Sequence, residues 1–106
     1  MFVSDSGSAY ARFRRALLTH NLTLIRATAA ELPVVRLDDA LQVCLLLRDR
    51  EPQRYEAAAV RWIGRFCAER LDVSLEDVEE ATDAFALMRS EPERALIVLQ
   101  ALCAGV

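Results

Sequence analysis

An all-α fold, a compact bundle of about six short antiparallel helices, is predicted by three features of the sequence. Apolar residues recur every three to four positions along most of the chain, the spacing that lines one side of a helix. The common residues are Ala, Leu, Arg and Glu, all strong helix formers. Only three Gly and three Pro interrupt 106 residues, too few for a β-sandwich that turns about every 8–12 residues. A hydrophobic content of 54% excludes intrinsic disorder. The length fits a single domain over residues 1–106, with residues 1–7 as a flexible tail and a core that needs no disulfide or metal.

Taken in order, Ser6 or Ser8 can cap a first helix running to about Thr19, with Ala9, Tyr10, Phe13, Ala16 and Leu17 as its buried stripe. His20 and Asn21 suit its C-terminal end, since a protonated His favours the negative helix end and Asn tolerates the left-handed conformation. A second helix over Leu22 to Leu32 buries Leu22, Ile25, Ala29 and Leu32, and Pro33 stops it. Val34 and Val35 follow in extended form.

The third helix starts near Leu37, with Asp38 and Asp39 at its positive end and Leu41, Cys44 and Leu45 inside. Its run from Val43 to Leu47 is apolar on all sides, which predicts a central position. Pro52 opens the fourth and longest helix, to about Leu71, whose wide apolar face carries Tyr55, Ala58, Ala59, Trp62, Ile63, Phe66 and Cys67. Gly64 in its middle costs about 1 kcal/mol relative to Ala, and either is simply tolerated or lets another helix approach closely.

Ser74 caps a fifth helix in a near capping box with Asp77, and Val78, Ala81, Thr82, Phe85 and Met88 form its stripe. The sixth starts at Pro92, is almost wholly apolar from Ala95 to Cys103, and ends at Gly105. An internal echo supports this division. Val35–Ala40 resembles Val73–Val78, and Glu51–Arg54 resembles Glu91–Arg94, at offsets that fit two helical-hairpin repeats. General rules for helix starts, acidic first turns and Pro at the first position, produce the same likeness without a repeat.

Charge is segregated. Residues 1–71 carry 11 Arg against 8 acids, whereas residues 72–106 carry 2 Arg against 8 acids. On the fourth helix Arg54, Arg61 and Arg65 share one side at i, i+7, i+11, and Arg12, Arg14 and Arg15 add charge on the first. Such a face suits an acidic protein partner or phosphates. The alternative is a solvated surface whose acids neutralise it locally, as Glu69 would for Arg65. The net charge of −3 is unlike that of dedicated nucleic-acid binders. A helix-turn-helix is disfavoured as well, because Pro33 and two Val replace its tight turn and the third helix is apolar where it should read bases.

Other chemistry finds little support. Glu76, Glu80 and Asp83 share a helical face beside Asp77 and Glu79, but a carboxylate-bridged metal site needs Glu-x-x-His pairs and His20 is the only histidine. These acids read as a solvated first turn. Cys44, Cys67 and Cys103 all fall in apolar stripes and read as buried free thiols of a reducing compartment. No phosphate loop or nucleophile turn occurs, so no catalytic, metal or cofactor residue is assigned.

Met1–Ser8 lacks the blocks of a secretory leader, and the apolar run from Ala95 is too short to span a membrane. A cytoplasmic protein without membrane contact is expected. All basic residues are Arg, with no Lys, in keeping with a GC-rich bacterial genome.

Three segments carry a resemblance. Phe13-Arg14-Arg15-Ala16-Leu17 with Asn21-Leu22, then Leu32-Pro33 through Asp39-Ala40-Leu41, then Tyr55 through Trp62, together resemble short helical proteins of GC-rich Gram-positive, actinobacterial-type bacteria. The likeness spans about residues 13–66, rests on pattern, and implies a bacterial accessory protein without assigning site residues. The hairpins are also loosely similar to tetratricopeptide-like repeats, without that repeat's characteristic small and aromatic positions.

The reading that follows is a non-enzymatic helical interaction module that binds a protein partner or self-associates, for instance as a homodimer. Its contact residues would be Arg54, Arg61 and Arg65, with Trp62 at the margin. Trp62 and Tyr55 are the aromatics expected to reach the surface, because each has a polar atom in need of a partner. If Ala57, Val60 and Gly64 form an exposed strip, that strip joins the contact. The alternative is a small nucleic-acid-associated regulator that uses the same arginines plus Arg12, Arg14 and Arg15.

Overall fold

The apolar periodicity resolves into helices in the computed structural model, which describes residues 5–105. Six α-helices occur among the described residues: α1 (Asp5–Thr19), α2 (Leu22–Ala29), α3 (Leu37–Arg50), α4 (Pro52–Glu69), α5 (Leu75–Leu87) and α6 (Pro92–Ala104). There are no strands among them, and the fold class is all-α. The chain divides into two compact units, one up to Arg36 and one from Leu37 onward.

In the first unit α1 and α2 pack as a hairpin. Ala9, Phe13, Ala16 and Leu17 are buried as the stripe predicts, and Tyr10 is half-buried. The helix begins at Asp5, ahead of both expected caps. An acidic residue type is favoured in a first turn, so residues 5–7 of the expected tail belong to α1, and the rest of that expectation, residues 1–4, lies outside the described residues. The residue that takes the left-handed conformation is His20 (φ 59°), not Asn21. Asn21 instead caps α2, its side chain accepting from the Leu24 amide at 3.1 Å.

α2 ends at Ala29, three residues earlier than its pattern suggests, because the chain tightens into i→i+3 bonds from Glu31 to Thr28 and from Leu32 to Ala29. Thr28 takes the inner position expected of Ala29. Its hydroxyl donates to the Leu24 and Ile25 carbonyls, which removes the cost of burying it.

The second unit contains two hairpins, α3 with α4 and α5 with α6, joined by packing of α3 on α6 and of α4 on α5. Leu41, Cys44 and Leu47 of α3 are buried, as are Tyr55, Ala59, Trp62 and Phe66 of α4, Ala81, Phe85 and Met88 of the α5 segment, and Ala95, Leu99 and Leu102 of α6. The two hairpins start alike. Glu51 and Glu91 precede proline with nearly the same backbone angles, and each accepts an ion pair from the arginine three residues on, Arg54 at 3.4 Å and Arg94 at 2.9 Å. The capping box at Ser74 forms in full with Asp77 in place of Glu.

Long side chains bind the ends of α5 and α6. The last carbonyls of a helix lack intrahelical donors. Tyr55 Oη donates to Phe85 O at 2.7 Å, Arg48 Nη1 to Met88 O at 2.7 Å, and Arg70 Nη1 to Cys103 O at 2.8 Å. Gly105, at φ 76°, completes the C-cap of α6. A Cβ there would meet the Arg70 guanidinium, the movable end of a long side chain, so it is the left-handed turn that calls for glycine.

Two side chains predicted inside lie elsewhere. Thr82 is exposed and Cys67 is exposed. Phe66 lies on the buried α4 face, and one residue is a rotation of about 100°, which carries Cys67 off that face and into the open. Leu71 lies past the end of α4 and is fully exposed, at 103% relative to a reference residue.

Candidate functional site

The inner face of α4 is an aromatic cluster. Trp62 stacks on Phe66 with ring centroids 5.4 Å apart, and its edge meets Phe85 at 5.4 Å. Tyr55 meets Phe85 edge-on at 6.3 Å. Both polar aromatics were expected near the surface, and both are buried, each only 2% exposed. Each polar atom finds its acceptor inside: Tyr55 on Phe85 O, and Trp62 Nε1 on Leu37 O at 2.9 Å. A satisfied indole has no need of solvent, and Trp62 cannot be reached at the margin of a contact surface. The Arg89 guanidinium lies over the Tyr55 ring, 5.1 Å from its centre.

The opposite face of α4 is open. Ala57, Val60, Arg61, Gly64, Cys67 and Ala68 are all exposed, with Val60 at 63%. They fall at i, i+3, i+4, i+7, i+10 and i+11, one continuous helical surface. A Cβ added at Gly64 would have no neighbour within 4 Å, so nothing in the described chain packs against this point. Of the two readings of Gly64, close approach of another helix of the described chain is thereby removed.

The arginines along this surface differ. Arg65 is half-buried and pairs with Glu69 at 2.8 Å, four residues on, the local neutralisation its spacing predicts. Arg54 is exposed and pairs with Glu51. Arg61 is exposed and, among the described residues, makes no hydrogen bond or ion pair. Its charge acts on Cys44, where burial is the larger influence and pushes the thiol up to about 11. In the first unit Arg12 pairs with Glu31, and Arg14 also has a partner.

The acids of the second unit gather on α5. Glu76, Glu79, Glu80 and Asp83 are exposed, and none makes an ion pair among the described residues. With Ala84, Leu87 and Val98 they line an open groove of about 340 Å³ between α5 and α6. The sequence marked these acids as a solvated face. It did not mark the apolar floor, whose only signal is that α6 is apolar on more sides than one hairpin can bury. Ile97 on the same helix remains 67% exposed.

Among the described residues no three His, Cys, Asp or Glu side chains converge as a metal site. Burial raises both Cys44 and Cys103 to about 11, so neither is an activated nucleophile at neutral pH. No helix of the described chain is long and apolar enough to cross a membrane. Comparison with protein-family models, with curated proteins and with solved structures yields no match to the chain.

Proposed function

We propose that this protein is a non-enzymatic helical interaction module that binds a protein partner through the outer face of α4. The observation that carries this reading is one exposed surface that joins an apolar strip, Ala57, Val60 and Gly64, to an arginine without a counter-ion among the described residues, Arg61. An isolated helix face of small residues admits close approach, and an unpaired guanidinium at its edge gives orientation and a faster encounter with an acidic partner. Arg54 and Arg65 extend the positive flank, each already sharing its charge with a neighbouring Glu. Trp62 supports the surface from beneath by fixing α4 against α3 and does not touch the partner.

A bacterial cytoplasmic accessory role fits the composition, the free thiols and the resemblance over residues 13–66. The test is affinity capture by the chain from its host, compared with the variant Arg61→Glu, Arg65→Glu. The variant keeps its helicity by circular dichroism and loses the captured protein. Equal capture by both chains would reject this face.

A further inference from the structure

We infer that the partner of the α4 face includes a second copy of this chain, docked by its α5–α6 groove, an inference that rests on the α4 reading above. Two surfaces of the second unit are each incomplete and match each other. The α4 face offers Arg61, which has no carboxylate partner among the described residues, beside Ala57, Val60 and Gly64. The groove between α5 and α6 offers Glu76, Glu79, Glu80 and Asp83, which have no cationic partner among the described residues, above a floor of Ala84, Leu87 and Val98. Positive rim with small apolar strip meets negative rim with apolar floor, complementary in charge and in polarity at once.

The same charges disfavour the simplest alternative, two α4 faces packed antiparallel about a two-fold. In that arrangement like flanks face each other, which brings the flank holding Arg61 against its own copy and supplies no carboxylate beyond Glu51 and Glu69, already paired with Arg54 and Arg65. Pairing α4 with the groove removes that repulsion. It also joins two different patches, so the contact is heterologous and an open pair retains one free patch of each kind, one on each copy, unless a ring or reciprocal dimer closes. Association driven this way weakens as salt screens the rims.

The experiment is sedimentation equilibrium of the full chain over a concentration series at low and high ionic strength, with Arg61→Glu, Glu80→Arg and the double charge-swap variant. Self-association is expected at low salt and declines at high salt. Each single reversal should weaken it roughly fivefold or more, while the double variant, in which the two rims are again opposite, recovers much of the loss. Unchanged circular dichroism shows that each variant is folded. A chain that stays monomeric at low salt, or one whose association ignores either single reversal, overturns the inference.

Binding of an arginine-rich peptide to the groove of a strictly monomeric chain also overturns it, in favour of a cationic partner. Failure here is separate from failure of the α4 reading. A monomer that still loses a captured host protein on Arg61→Glu, Arg65→Glu keeps the α4 face and discards only the second copy.

Discussion

At the scale of single residues, buried polar groups decide where this chain is stable. Tyr55 lies at the centre of that accounting, because its hydroxyl supplies the donor that Phe85 O lacks at the end of α5. Tyr55→Phe leaves a buried carbonyl unmet and should cost about 1–2 kcal/mol in urea unfolding. Cys44 carries a pH dependence of known sign. Burial raises its thiol from 9.0 to about 11, so between those values the folded chain binds more protons than the unfolded one.

Stability from this group is therefore full below about pH 9 and falls as pH rises through about 11. Tyr55, raised from 10.0 to about 12 chiefly by burial, adds to the same alkaline loss. Urea midpoints measured from pH 8 to 11 should fall, and Cys44→Ala should make that fall shallower although it lowers the starting stability. A midpoint independent of pH in this range contradicts the buried, neutral thiol. His20 provides a further check, since its φ of 59° is strained for any residue with a Cβ. His20→Gly should raise stability by about 0.5–1 kcal/mol, read from the same unfolding curves.

At the scale of elements, the ends of helices are better specified than their faces. Ser74→Ala removes one side of a complete capping box and should cost about 1 kcal/mol by thermal or urea unfolding. Gly64→Ala acts in the other direction. With nothing within 4 Å of the added methyl group, the change should stabilise the isolated chain by about 1 kcal/mol while leaving its fold intact.

The starts of α3, α4, α5 and α6 were legible because Asp, Ser and Pro at helix N-termini act locally through the backbone. The inner stripes were legible where large apolar side chains recur at helical spacing. What sequence could not decide was the fate of side chains with two possible partners. Trp62 and Tyr55 carry polar atoms that suit either water or a carbonyl from a neighbouring helix, and only the packing of α4 on α3 and α5 supplies those carbonyls. Cys67 was misplaced inside because a wide apolar face has no sharp edge in sequence, and the width was set by how much surface α3 and α5 could cover.

At the scale of the molecule, the polarity counted along the chain becomes two separate surfaces. The local ion pairs of Arg54 and Arg65 were readable as spacings, and so was the possibility of a small-residue strip on α4. The absence of a counter-ion at Arg61 among the described residues and the apolar floor beneath the α5 acids depend on which helices pack together, which no single helix encodes. The central claim is that α4 buries its aromatic side and reserves its other side for contact.

Cys67 and Cys44 sit on those two sides of the packing, exposed and buried respectively, and form a built-in pair of probes. The most direct measurement is the rate of maleimide labelling at each thiol, in the free chain and in its complex with the bound partner. The account predicts rapid labelling of Cys67 in the free chain, strong protection of Cys67 in the complex, and slow labelling of Cys44 in both. Equal labelling of Cys67 with and without the partner would contradict it.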